Sequence, residues 1–185
     1  NPLFRLPDGS SRITGIWDQT LPEPTGTMDA SFGIPASTPA MSFSYGQEFL
    51  KPQIDEALRS SDPLSVVPSM DTSGHGTFMA GIAAGGATPN EDFTGAAPNC
   101  SIGVVKLKPA KQYLRDFYLI PENAIAYQEN DIMMGIKYLK LLALRQNLPL
   151  VIYIGLGTNY GSHDGTSPLG LVLNNLVRFV GVSAV

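Results

Sequence analysis

The sequence predicts an α/β domain whose sheet is mainly parallel. Apolar runs typical of buried strands occur at 101–107, 149–154 and 179–185. Helical patterns at 131–144 and 167–178 separate these runs. Because strand, helix and strand alternate, the connections are expected to be right-handed crossovers, which produce a parallel sheet covered by helices.

The N-terminal half predicts one strand and two helices. A strand is expected at 12–17, followed at 21–43 by an exposed loop rich in Pro, Gly, Ser and Thr. Pro52 occupies a favoured first-turn position for a helix over 53–59. The residues at 74–85 are almost all small or apolar, so a helix there is expected to be buried on most sides.

Composition indicates one folded globular domain over residues 1–185. The chain is 43% hydrophobic and 15% charged, and it contains no repeat or obvious linker. A net charge of −4 with scattered Lys and Arg gives no basic surface for nucleic acid. One cysteine, Cys100, allows neither an internal disulfide nor a Cys-rich zinc site, and no apolar run is long enough to span a membrane.

No cofactor is predicted from the motifs. Carboxylates that could bind calcium are scattered, at Asp8, Asp62, Asp92 and Asp164, without the spacing of an EF-hand loop. No glycine-rich phosphate loop follows a predicted strand, which disfavours a nucleotide-binding domain. We therefore assign no metal, and calcium has no motif to support it.

Four segments carry the clearest functional signal, and they occur at 71–81, 95–107, 151–158 and 179–185. The first contains Gly74-His75-Gly76-Thr77, and the third contains Gly155-Leu156-Gly157. In this order they resemble the subtilisin-like serine proteases (subtilases). Segments 16–20 and 159–167 are similar to the branch that includes clostridial spore-germination proteases and related bacterial enzymes. The resemblance implies a partial three-layer fold with helices on both faces of the sheet.

His75 is the candidate catalytic residue. An imidazole at the start of a helix, between two glycines, can face a cleft while the helix packs behind it, and can take a proton from a serine. The alternative is a surface histidine in a glycine turn. The resemblance implies that His75 is the general base and that Gly155, Leu156 and Gly157 bind an extended substrate backbone. A plain turn after a strand is the alternative for the glycines.

The aspartate, oxyanion asparagine and nucleophilic serine segments of the family are not found in these residues. The chain is therefore expected to be an internal fragment of a catalytic domain, inactive by itself. Asp18 and Ser167 imitate the missing residues, but Thr-Gly does not follow Asp18, and Ser167 precedes the third strand. Ser167 is expected to cap a helix that Pro168 begins. Asp71 and His163 are expected to order their own loops.

The parent protein is thus predicted to be a serine endopeptidase acting on peptide or protein substrates. The alternative is a pseudoprotease that serves as a binding or scaffold protein, since some members of the resembled branch have lost triad residues. The intact motif at 74–77 argues against this alternative. Exposed sheet edges predict self-association of the chain. The resemblance favours a bacterial protein that is exported or associated with the cell envelope or spore.

Overall fold

The computed structural model describes residues 1–22, 43–87, 92–159 and 161–185, and the chain divides into two compact units. Unit 1 comprises Asn1–Trp17 and Glu48–Val104, and unit 2 comprises Asp18–Gln47 and Val105–Val185. The predicted loop at 21–43 lies mostly outside the described residues.

The described residues form strands and helices in an alternating order that confirms the α/β class. The strands are β1 (Ile13–Asp18), β2 (Gln47–Leu50), β3 (Ile102–Lys106), β4 (Leu150–Ile152) and β5 (Val182–Ala184). The helices are α1 (Lys51–Arg59), α2 (Pro63–Val66), α3 (His75–Ala84), α4 (Gln112–Phe117), α5 (Glu129–Gln146) and α6 (Pro168–Leu176), and a 3-10 turn covers Pro2–Phe4. None of the helices in the described ranges combines the length and hydropathy that crossing a membrane would need.

Two sheets occur in the described part of the chain. One has the strand order β2-β1-β3, with its greater part in unit 1, and the other pairs β4 with β5. The β4–β5 pair is parallel, with Leu150 opposite Val182 and Ile152 opposite Ala184. This pair shows the parallel arrangement that the alternation of strands and helices predicted.

Local capping signals explain why several helices begin where the sequence predicts. Pro52 lies in the first turn of α1, where a missing N–H costs no helical hydrogen bond. The Leu50 N–H donates to Gln53 Oε1 at 3.0 Å, which closes the same turn. Ser167 caps α6 by accepting from the Gly170 N–H at 3.1 Å, with Pro168 as the first helical residue. The prediction of Ser167 as a helix cap is confirmed.

A buried arginine organises unit 1. The Arg12 side chain, 5% exposed, donates to the carbonyl oxygen of Ala84 at 2.7 Å and to that of Cys100 at 2.9 and 3.1 Å. It also donates to the carbonyl oxygens of Leu3 and Ala97, both at 3.2 Å. Ala84 ends α3, so the positive charge lies where the helix dipole is negative. Carbonyl dipoles thus surround a charge that would otherwise be costly to bury.

The core of unit 2 lies between helices α5 and α6 and the β4–β5 sheet. Ile136, Ile152 and Leu176 are each at most 5% exposed, and residues from all four elements pack around them. Along β4 and the two residues after it the side chains alternate. Leu150, Ile152 and Ile154 join this cluster, whereas Val151 is 68% exposed and Tyr153 is 43% exposed. In the described residues the sheet is therefore covered on one face.

The predicted burial of the helix at 74–85 is wrong for the described residues. In α3 only Gly81 and Ala84 are buried, while Phe78 is 64% exposed and Ile82 is 45% exposed. The apolar composition of a helix indicates that its burial would be favourable, but it does not show that another segment packs against it. The helix itself forms as predicted, beginning at His75.

Candidate active site

His75 stands at the first position of α3, directly after a glycine in the left-handed conformation. Gly74 has φ +75°, a value that residues other than glycine rarely adopt. Because it has no side chain, Gly74 cannot cap the helix itself. The His75 side chain is exposed. The backbone N–H of His75 donates to Ser73 Oγ at 3.2 Å. The imidazole is therefore displayed at the open end of a helix, as the sequence predicts.

Asp71 supplies the cap that Gly74 cannot. Its Oδ1 accepts from the N–H groups of Ser73 at 3.1 Å and Gly74 at 2.9 Å, and from Ser73 Oγ at 3.1 Å. Its Oδ2 accepts from the N–H and the hydroxyl of Thr77, both at 2.8 Å. The prediction that Asp71 orders the turn is confirmed.

The charge on Asp71 is strongly favoured. Its partial burial works against ionisation, but hydrogen bonds from Thr77, Gly74 and Ser73 outweigh that effect and lower the pKa of Asp71 to about 2. The carboxylate therefore stays ionised at any pH where a histidine can act as a base.

The segment Gly155-Leu156-Gly157 lies in unit 2, just beyond the paired residues of β4. Pairing continues to Ile154, whose N–H donates to the Val185 carbonyl oxygen at 2.9 Å, and the next three residues leave the sheet. Leu156 is 40% exposed. A Cβ added at Gly157 would meet no atom within 4 Å, so open space lies beside its backbone. This is the room that a second extended chain would need.

The loop after this segment is held by its own polar groups. His163 Nε2 lies 3.2 Å from the carbonyl oxygen of Asn159, and Asp164 Oδ1 accepts from the N–H and the hydroxyl of Thr166 at 3.0 and 2.7 Å. The Ser162 and Thr166 hydroxyls are 2.9 Å apart. The prediction that His163 contributes to loop order is confirmed.

Asp18, which imitates a catalytic aspartate in the sequence, is an internal ion-pair residue of unit 2. It is fully buried, and its Oδ2 lies 3.1 Å from Lys106 Nζ. Its Oδ1 accepts from the N–H and the hydroxyl of Thr20 at 2.8 and 2.5 Å. Gln19 and Thr20 follow Asp18 in place of the Thr-Gly pair of the family, and Thr20 is a hydrogen-bond partner of Asp18.

Sequence reasoning missed a polar cluster around Asp131, at the start of α5. Asp131 Oδ1 accepts from the Tyr45 hydroxyl at 2.8 Å and lies 3.3 Å from Lys108 Nζ, which sits 3.5 Å from the centre of the Tyr45 ring. Gln19 donates to the Asp131 carbonyl oxygen at 2.9 Å. Burial and the bond to Asp131 raise the pKa of Tyr45. No local pattern announces this cluster, because Tyr45 and Asp131 are 86 positions apart.

The described residues contain no group of three or more His, Cys, Asp or Glu side chains placed to hold a metal ion. His75 belongs to unit 1, and Gly155, Leu156 and Gly157 belong to unit 2.

Comparison with known proteins links this arrangement to one family. The sequence profile of the subtilase family (Peptidase_S8) matches residues 33–132, more than half of the chain, and this range includes the His75 turn. A solved structure, the CspB protease of Clostridium perfringens, is 31% identical with a TM-score of 0.75. The similarity covers 100% of this chain and 32% of that protein, so the chain spans about a third of its length. A search of curated protein sequences found no match.

Proposed function

Because the chain belongs to the subtilase family, we propose that it is part of the catalytic domain of a serine endopeptidase, with His75 as the general base. The observation that carries the proposal is the His75 turn. An exposed imidazole begins α3, and a buttressing carboxylate holds the backbone on either side of it. The match to the family profile spans this turn.

In this proposal the other triad members come from parts of the protein outside these 185 residues. The serine hydroxyl attacks the scissile carbonyl carbon while His75 removes its proton. The imidazolium then returns that proton to the leaving amine, and an aspartate orients the ring. The similarity to CspB covers 32% of that protein. A full-length protein of similar size would be long enough to contain such segments.

Gly155, Leu156 and Gly157 are proposed to hold the substrate. An extended peptide can pair with backbone that leaves a sheet, and glycines allow close approach of the two backbones. The open space at Gly157 and the exposure of Leu156 support this role. Such binding requires an extended substrate, which favours cleavage in unfolded segments or flexible loops of proteins.

A fluorophosphonate probe tests the proposal, because it labels only a serine activated by a working base. We expect the folded, fully processed full-length protein to be labelled, and His75→Ala to slow labelling by about 10³-fold or more. His163→Ala is the matched control, since it removes the other histidine of the chain and should leave labelling unchanged. The 185-residue chain alone should not react.

The same experiment decides the rival function. If the folded full-length protein does not react, the endopeptidase proposal fails. A pseudoprotease that binds a partner would then be the better account, with His75 retained in a non-catalytic cleft. If His163→Ala rather than His75→Ala abolishes labelling, the assignment of the base is wrong.

A further inference from the structure

We infer that Asp71 is a positioning residue for His75, an inference that rests on the proposed function. One carboxylate oxygen accepts from residues before the histidine, Ser73 and Gly74, and the other accepts from Thr77, after it. The carboxylate therefore binds the backbone on both sides of His75. Asp71 acts through the backbone that carries the imidazole.

The geometry shows why this turn depends on a carboxylate. A helix start leaves N–H groups without intrahelical partners, and the residue before the helix usually supplies an oxygen. Gly74 has no side chain to do so. Asp71, three positions before Gly74, supplies the oxygen instead. Its Oδ2 would lie 3.6 Å from a Cβ atom added at Gly76. The carboxylate thus underlies the turn on both sides of the histidine.

The two glycines that flank His75 make this support necessary. Glycine has the widest range of backbone conformations, so a Gly-His-Gly segment does not by itself fix the direction of the Cα–Cβ bond of the histidine. A general base must hold its ring within hydrogen-bond reach of the serine, and a displacement of about 1 Å can lower a rate by about 100-fold. The Asp71 carboxylate accepts five hydrogen bonds from the N–H and hydroxyl groups of Ser73 and Thr77 and from the N–H of Gly74. These bonds limit that displacement.

The test uses the full-length protein and separates the rate of labelling from its extent. We expect Asp71→Ala to lower the first-order labelling rate constant at saturating fluorophosphonate by about 10–100-fold. The half-saturating probe concentration and the fraction of protein finally labelled should stay within twofold. A role confined to stability would reduce the labelled fraction and leave the rate of each folded molecule unchanged.

Two further variants sharpen the result. Asp71→Asn keeps one acceptor oxygen but places an NH2 group where Thr77 now donates, so its rate should be intermediate. Asp8→Ala is the matched control, because Asp8 also accepts from the N–H and hydroxyl of a serine, Ser10, in an exposed turn of unit 1. Its labelling rate should equal that of the unchanged protein. If Asp71→Ala does not fold, Asp71→Asn carries the test.

Amide hydrogen exchange supplies a readout that does not depend on activity. Exchange at Gly74 and Thr77 should accelerate at least tenfold in Asp71→Ala and should not change in Asp8→Ala. Equal labelling rates in Asp71→Ala and the unchanged protein would overturn the inference, even if exchange accelerates. If the unchanged protein is not labelled, the proposed function fails. Exchange then decides whether Asp71 fixes this turn, and unaltered exchange would overturn the inference by itself.

Discussion

Replacing Arg12 with methionine should remove the charge around which the backbone of unit 1 is arranged. The unbranched side chain of methionine matches the aliphatic stem of arginine, so packing along that stem is largely kept. What is lost is the set of hydrogen bonds to four carbonyl oxygens. The variant therefore isolates the contribution of the guanidinium.

Two of the four carbonyl oxygens that Arg12 binds have a second hydrogen-bond donor. The carbonyl oxygens of Leu3 and Ala97 also accept from backbone N–H groups, those of Gly86 at 2.8 Å and Cys100 at 3.2 Å. The bonds to the Ala84 and Cys100 carbonyls, at 2.7 and 2.9 Å, therefore carry most of the loss. At about 1.5–3 kcal/mol for each bond to a charged donor, the expected loss is about 3–6 kcal/mol.

Urea unfolding of the 185-residue chain at low concentration measures this loss. Trp17 is the one tryptophan of the sequence and is 1% exposed, so its fluorescence reports on unfolding. The free energy of unfolding should fall by about 4 kcal/mol in Arg12→Met, and Tm by roughly 10 °C. Arg59→Met, at the exposed end of α1, should change it by no more than about 0.5 kcal/mol.

Arg12→Lys separates charge from hydrogen-bond geometry. Lysine keeps the positive charge but has a single ammonium group in place of the planar fork, so it should recover only part of the stability. If the free energy of unfolding of Arg12→Met lay within about 1 kcal/mol of that of the unchanged chain, the buried guanidinium would not be a main source of stability in unit 1. Full recovery in Arg12→Lys would show that charge alone matters.

Three further outcomes are expected. In the full-length protein, Gly157→Val should leave folding intact, because a Cβ there meets no atom within 4 Å. The same variant should raise KM for a peptide substrate about tenfold, and an unchanged KM would contradict a role for Gly157 in substrate binding. Because the pKa of Asp71 is lowered to about 2 in the folded state, its ionisation contributes stability that is complete above pH ~4 and is lost as the pH falls towards 2. This contribution is about 1 kcal/mol after discounting for solvent exposure. In urea titrations at decreasing pH, the free energy of unfolding should fall by this amount in the unchanged chain and not in Asp71→Asn. The chain should self-associate in sedimentation at high concentration, and Val151→Lys, on the open face of β4, should reduce the association; a strictly monomeric unchanged chain would count against this.

Features that depend on neighbouring residues in the sequence were predictable. Pro52 and the Ser167-Pro168 pair mark helix starts through local chemistry, and both helices begin there. The apolar runs at β3, β4 and β5 likewise identified strands. His75 at the first position of α3 followed from the same kind of local reasoning.

Features that depend on distant partners were not predictable. The Arg12 side chain meets Ala84 and Cys100, which are 72 and 88 positions away, and a single sequence contains no signal that joins them. β2 at 47–50 has a mixed composition and acquires its strand character from its place beside β1. The exposure of Phe78 and Ile82 was missed for a related reason, since hydrophobicity does not specify what covers a surface.

The position of β1 beside β3 also bears on the order in which a growing chain can fold. The Ile102 N–H donates to the Arg12 carbonyl oxygen at 2.9 Å, and the Arg12 guanidinium binds the carbonyl oxygen of Cys100. Ribosomes release the N-terminal side of a chain first, so β1 can meet β2 early, whereas its pairing with β3 must wait until about ninety more residues have emerged. Contacts of such long sequence separation form slowly, because loop closure precedes any gain in packing. During synthesis, the edge of β1 that β3 covers therefore stays unpaired after β2 has covered the other edge, and it is open to pairing with other chains.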